Sequence, residues 1–191
     1  MARALPWRSR CCKAGRRFDS STSYANTWAE ITMDAALRQA QHCFRFEQDF
    51  VGSWRCIPLC VRRKLDLIGL KLKLSHWLEL SQAQRQELVD WPDDNASLQT
   101  LKHHLQRCTA PMADGEAALI APARSEPWQQ ANVVAPEVAR AAADRGLDLS
   151  VEHWSALDEL GRFALCKLAR PGHDHHNLKA AFAELLHQPA Q

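Results

Sequence analysis

Between Ile57 and Ile68 the apolar residues Ile57, Cys60, Val61, Leu65 and Ile68 recur at i, i+3, i+4, i+8 and i+11. That spacing predicts an amphipathic helix with one face turned toward a core. Pro58 suits its first turn, where the missing N–H would have had no partner, and Gly69 predicts a left-handed cap at its end. Lys64 occupies the i+7 place in the apolar stripe. It either snorkels from the edge of the face or is satisfied by Glu47 or Asp49 of the preceding segment, FRFEQDF. As a strand that segment puts Phe44, Phe46 and Phe50 on one side; as a helix Phe46 and Phe50 still share a face. Both alternatives bury phenylalanine and expose the acids.

A second pattern follows Gly69. Residues 69–88 (GLKLKLSHWLELSQAQRQEL) align without a gap on 146–165 (GLDLSVEHWSALDELGRFAL), with eight identities in twenty. They match Gly69 with Gly146, His76 with His153, Trp77 with Trp154 and Arg85 with Arg162, which indicates an internal duplication. In each copy a helix begins at a proline (Pro58, Pro136) and ends at the glycine, Leu-x-Leu turns the chain, and a tryptophan opens a short helical turn. Ser81 and Asp158 predict N-caps for the next helix, and Ser81 with Gln84 predicts a capping box. A further helix follows each proline-bearing break, with Leu98, Leu101 and Leu105 inside the first and Leu178, Phe182 and Leu185 inside the second.

The expected fold is therefore all-α: one compact helical domain over residues 34–191, built from two diverged helical repeats at about 57–108 and 135–187. An Ala- and Pro-rich linker joins them at 109–134, a short helix is expected at 34–41, and 44–50 is left open between helix and extended chain. Residues 1–33 are excluded from the fold. They read as a disordered arm, an organelle transit peptide, or sequence upstream of a true start at Met33, the last being favoured.

Composition narrows the class. With 46% apolar and 24% charged residues the chain can build an ordinary core, and Arg, Lys and Asp break every apolar run before the length of a membrane span. Residues 1–32 carry six basic and two acidic side chains, which leaves the remainder slightly acidic and argues against nucleic acid as a partner. Seven cysteines, Cys11, Cys12, Cys43, Cys56, Cys60, Cys108 and Cys166, form no spaced framework, so a reducing, cytoplasmic compartment is expected.

Chemistry-bearing motifs are sparse. Cys56 and Cys60 flank a helix start, but Cys60 lies on the apolar stripe and reads as a small buried hydrophobe. The run His173, Asp174, His175, His176 cannot turn all its side chains on one ion, and Pro171, Gly172 and Asp174 already explain it as a helix start. No metal and no cofactor is expected. Arg55, Arg62, Arg63, Lys71 and Lys73 make the one basic concentration of the folded part, fit either for an anionic partner or for solvation of an outer face. No Gly-rich phosphate loop, nucleophile elbow, HExxH or paired CxxC is present.

The strings FRFEQDF, RCIPLCVRRKLDLIGLKL and RFALCKLARPGHDHHN resemble the nitrate reductase associated protein family. The resemblance spans most of residues 43–186 and rests on Phe44 to Glu47, Asp49 and Phe50, then Cys56 to Pro58, Arg62, Lys64 to Asp66 and Gly69. It continues through Trp77, Trp154, Arg162, Phe163, Leu165, Lys167, Leu168 and Pro171 to His173 and Asn177; Cys60, His175 and His176 fall outside the pattern. It implies a role in nitrate assimilation, through association with nitrate reductase or supply of its molybdenum cofactor, and implies no catalytic mechanism. Two readings follow. One is a non-catalytic accessory protein that binds the reductase or assists its maturation. The other is a small enzyme or anion-binding protein with a charged site between the repeats, for which the candidates are Arg45, Glu47, Asp49, Arg62, Lys64, Arg162, Lys167, His173 and Asn177.

Overall fold

The computed structural model describes residues 43–171 and 176–186. The expected arm, the helix at 34–41 and the stretch His173 to His175 lie outside the described residues. The described chain is mainly helical. A 3-10 turn, Arg45–Glu47, runs into the one-turn helix α1 (Gln48–Val51), followed by α2 (Leu59–Ile68), strand β1 (Leu70–Lys71), α3 (Leu74–Glu79), α4 (Gln82–Asp90) and α5 (Asn95–Thr109). Strand β2 (Ala118–Leu119) and a 3-10 turn (Pro127–Gln129) lead to α6 (Pro136–Ala143), α7 (Val151–Ala156), α8 (Glu159–Leu168) and α9 (Leu178–Leu186).

Helix α2 is the centre. It packs against α4, α5 and α8, and its apolar stripe is buried throughout: Cys60 and Val61 are 0% and 1% exposed, Leu65 and Ile68 4% and 3%. Leu101 and Leu105 of α5, Phe163 and Leu165 of α8, and Phe182 of α9 complete the same core. Helix ends are closed by the predicted residues. Ser81 Oγ accepts from Gln84 N–H (3.2 Å) while Gln84 Oε1 accepts from Ser81 N–H (2.9 Å), and Asp158 Oδ1 accepts from Gly161 N–H (2.6 Å). Asp94 caps α5 in the same way, accepting from Ala96 and Ser97.

Of the segment 44–50, Phe44 is extended and the rest is helical, and Phe44 and Phe46 stack with ring centres 4.8 Å apart. One expectation fails here: Glu47 is fully buried, while Asp49 is exposed. The stretch 109–134 does more than link. Its Ala117 and Trp128 are buried, Trp128 meets Phe163 edge-on at 5.1 Å, and β2 pairs antiparallel with β1, Leu119 opposite Leu70 and Ala118 opposite Lys71.

The two halves run parallel in local geometry. The offset that sets Gly69 on Gly146 also sets α3 on α7, all of α4 within α8, and the last residue of α5 on the last of α9. Gly69 and Gly146 both lie in the left-handed region, at φ 65° and 68°. Trp77 and Trp154 are both fully buried and donate their indole N–H to carbonyls of the segment ahead, Trp54 O at 2.9 Å and Gln130 O at 2.8 Å. Arg85 and Arg162 both bind backbone carbonyls, Arg85 those of Trp77, Leu78 and Trp54, Arg162 those of Trp128 and Leu157.

Candidate functional site

Two ionisable side chains are wholly buried against α2, and each closes a helix end. Glu47 Oε1 accepts from Leu59 N–H (2.9 Å), the first residue of α2, and Oε2 accepts from Phe44 N–H (3.2 Å). A carboxylate suits that place because the first N–H groups of a helix have no partner within it and carry its positive end. Burial nevertheless pushes the Glu47 carboxyl up to about 7, against the opposing pull of these bonds and of Arg62. From the middle of α2, Lys64 Nζ donates to Leu88 O (3.1 Å) and Val89 O (2.7 Å) in the last turn of α4. Those carbonyls carry the negative end of their helix, and burial holds the Lys64 ammonium below its usual range.

The expected pairing of Lys64 with Glu47 or Asp49 is therefore not formed, and Lys64 does not snorkel, being 0% exposed. The reason is position. Glu47 is spent at the N-terminus of α2, whereas Lys64 leaves the middle of that helix toward α4. Cys60, between them, is buried as expected, and the hydrogen bond its thiol makes to Cys43, together with burial, holds that thiol well above the ordinary range.

The remaining candidates separate into positions around this frame. Arg62 is exposed and donates through Nε to Ile57 O (2.9 Å). Arg45 is exposed too, while its backbone N–H and that of Phe46 donate to the Glu184 carboxylate of α9 at 3.0 and 3.1 Å. Arg162 is spent on the carbonyls of Trp128 and Leu157. Lys167 pairs with Asp66 (2.6 Å) and lies 5.0 Å over the Phe163 ring, joining α8 to α2. Asn177 starts α9, its carbonyl accepting from Ala181 N–H at 2.8 Å. His173 lies outside the described residues. Arg63, expected only as one of the five residues of the basic concentration, makes two ion pairs, reaching Asp93 and Glu159, both at 2.7 Å. No group of three or more His, Cys, Asp or Glu among the described residues is arranged to hold a metal ion, and no described helix is long and apolar enough to cross a membrane.

A cleft of about 580 Å³ opens on the second half, well within the range of ligand sites. Leu147, Phe182, Ala183 and Leu186 make its apolar lining. Arg145, His153 and Lys179 rim it with Asp148 as the one acid. Nothing in the separate segments marks these residues as a group. The signal lies in the comparison of halves, because three first-half counterparts of the lining, Leu70, Lys71 and Thr109, meet residues 117–119, and among the described residues no strand pairs with 147–148.

A family model described as conserved nitrate reductase-associated protein matches residues 43–185, which takes in all of α1 to α8, nearly all of α9 and the lining of the cleft up to Ala183. No curated protein and no solved structure matches the chain.

Proposed function

The chain belongs to the conserved nitrate reductase-associated protein family, and from that premise we propose that it is a non-catalytic accessory protein of nitrate assimilation. It acts in the cytoplasm by binding nitrate reductase or by assisting that enzyme's maturation or cofactor supply. The observation that carries this reading is the use made of the charged residues embedded in the family's strings. Glu47, Lys64, Arg62 and Arg162 are committed to backbone groups of their own fold, and Lys167 to Asp66. Side chains so committed build a rigid body for presenting a surface, whereas proton transfer or nucleophilic attack needs groups that reach a substrate.

The test is direct binding. Immobilised protein is exposed to purified nitrate reductase, with and without its molybdenum cofactor, and reductase activity is followed in cells lacking the protein. Specific capture, or loss of active reductase without loss of its transcript, supports the reading; normal reductase activity in such cells together with no capture overturns it. The alternative of a ligand- or anion-binding protein draws on the basic rim of the cleft. Its charged groups between the halves are already paired with one another, Arg63 with Asp93 and Glu159, Asp66 with Lys167, which makes the accessory role the better supported of the two.

A further inference from the structure

The cleft lies where the first half of the chain carries a strand of its own. After α2 the backbone at Gly69 to Lys71 is covered by residues 117–120. Leu70 and Lys71 pair with Leu119 and Ala118, Ile120 N–H donates to Gly69 O (2.9 Å), and Thr109 Oγ1, at the end of α5, accepts from Ala117 N–H (2.9 Å). The counterparts in the second half are Gly146 to Asp148 and Leu186, and three of these, Leu147, Asp148 and Leu186, line the cleft. Among the described residues no strand pairs with 147–148.

The glycines measure the difference. A Cβ on Gly69 would stand 2.5 Å from Ile120 O and 2.8 Å from Pro122 N, because the covering backbone lies against it. On Gly146 a Cβ would have no described atom within 4 Å. Both glycines hold the same left-handed conformation. The glycine turn is thus the same in both halves, and among the described residues only one half has an occupant beside it.

We propose that this cleft takes an extended segment of a partner protein, added along Leu147–Asp148 as Ala118–Leu119 is added along Leu70–Lys71. Main-chain hydrogen bonds would supply affinity and the pocket specificity, as in other strand-addition complexes. A small or branched apolar residue of the segment lies over Phe182, Ala183 and Leu186. An acidic residue faces Arg145, Lys179 and His153, since the rim carries three basic groups against the single carboxylate of Asp148. The segment that covers the first half has this character, with Asp114 and Glu116 ahead of Ala117, Ala118, Leu119 and Ile120 and no basic residue among them. The inference stands whether or not the partner is the reductase.

The chain's own residues 112–122, MADGEAALIAP, provide the probe, as a labelled synthetic peptide titrated into the full chain and followed by fluorescence anisotropy. Saturable binding is expected, weakened about tenfold or more by Lys179→Glu and by Ala183→Trp. Both positions are exposed, so the variants are expected to keep the wild-type circular dichroism and melting temperature. In the wild-type chain, hydrogen exchange should slow at 147–150 when the peptide is present. Absence of binding at millimolar peptide, binding indifferent to both variants, or protection confined to other segments would each overturn the proposal. So would dimerisation of the chain that is abolished by Ala183→Trp, which would assign the cleft to a second copy.

Discussion

The ammonium of Lys64 lies 2.7 Å from the carbonyl oxygen of Val89, so a fully buried cation of α2 closes the C-terminal end of α4. The bond joins the central helix to a neighbour through a backbone acceptor, and a backbone acceptor cannot be removed by mutating the partner residue. Lys64 is therefore the end at which the interaction can be tested.

Lys64→Met is expected to destabilise the chain by roughly 2 to 3 kcal/mol, because it leaves the Leu88 and Val89 carbonyls without their buried donor. Adding Glu47→Gln should neither relieve nor deepen that loss by more than about 0.5 kcal/mol, since the two side chains share no partner. Urea denaturation of the two single variants and the double variant measures this. Rescue in the double variant would restore the direct pair that the sequence suggested.

Stability should fall as pH rises through the range in which Glu47 ionises in the fold. Burial pushes its carboxyl up from an ordinary 4.5 to about 7 in the fold, so between those limits the folded chain holds a proton that the unfolded chain has released. The contribution is fully present below about 4.5, is lost through 7, and amounts to roughly 3 kcal/mol. Denaturation midpoints at pH 5 and pH 8 should differ accordingly in the wild type, and the difference should shrink in Glu47→Gln whatever that variant's absolute stability.

Gly69→Ala and Gly146→Ala are expected to differ sharply although the two glycines share one conformation. Each pays about 1 to 2 kcal/mol for a side chain in the left-handed region. Only the first also drives a Cβ into the backbone of Ile120 and Pro122, at 2.5 and 2.8 Å, which adds roughly 1 to 3 kcal/mol of overpacking. Thermal denaturation of the two variants side by side decides it, and equal losses would mean that the strand β2 is not held as described.

Glu184→Ala should free the turn at 45–47, because one carboxylate, only 13% exposed, receives the N–H groups of both Arg45 and Phe46. A loss of roughly 1 to 3 kcal/mol is expected. Limited proteolysis should also cut the variant first between Phe44 and Arg55, with α2 to α8 cleaved more slowly.

Much of the fold was legible because its signals are local. The stripe of α2, the left-handed Gly69, the Ser81 and Asp158 caps and the leucines of α5 each depend on residues within a turn or two of one another. The fate of Lys64 was not legible, since its acceptors are main-chain oxygens 24 and 25 residues away and a carbonyl has no signature in sequence. The burial of Glu47 is hidden for a related reason: its donors include the N–H of Leu59, a residue whose side chain gives no hint of the bond. Trp128 and Ala117 sat in an Ala- and Pro-rich stretch that resembles solvent-exposed linker, and only their tertiary neighbours show otherwise. Descent of the two halves from one ancestral unit is our proposal, supported by the matched element bounds, the paired glycines and the paired tryptophans.

The bonds from Arg45 and Phe46 to Glu184 span 139 and 138 residues. During synthesis the phenylalanine turn leaves the ribosome long before the helix that fastens it has been made, a delay on the order of ten seconds at ordinary elongation rates. Through that interval Glu47 can already tie the turn to the start of α2, but the N–H groups of Arg45 and Phe46 lack their acceptor, so the nascent chain carries a half-fastened aromatic flap beside its central helix. Translation speed over the 138 residues from Phe46 to Glu184, rather than the equilibrium stability of the finished fold, then sets how long that flap is open to chaperones or to misplaced contacts.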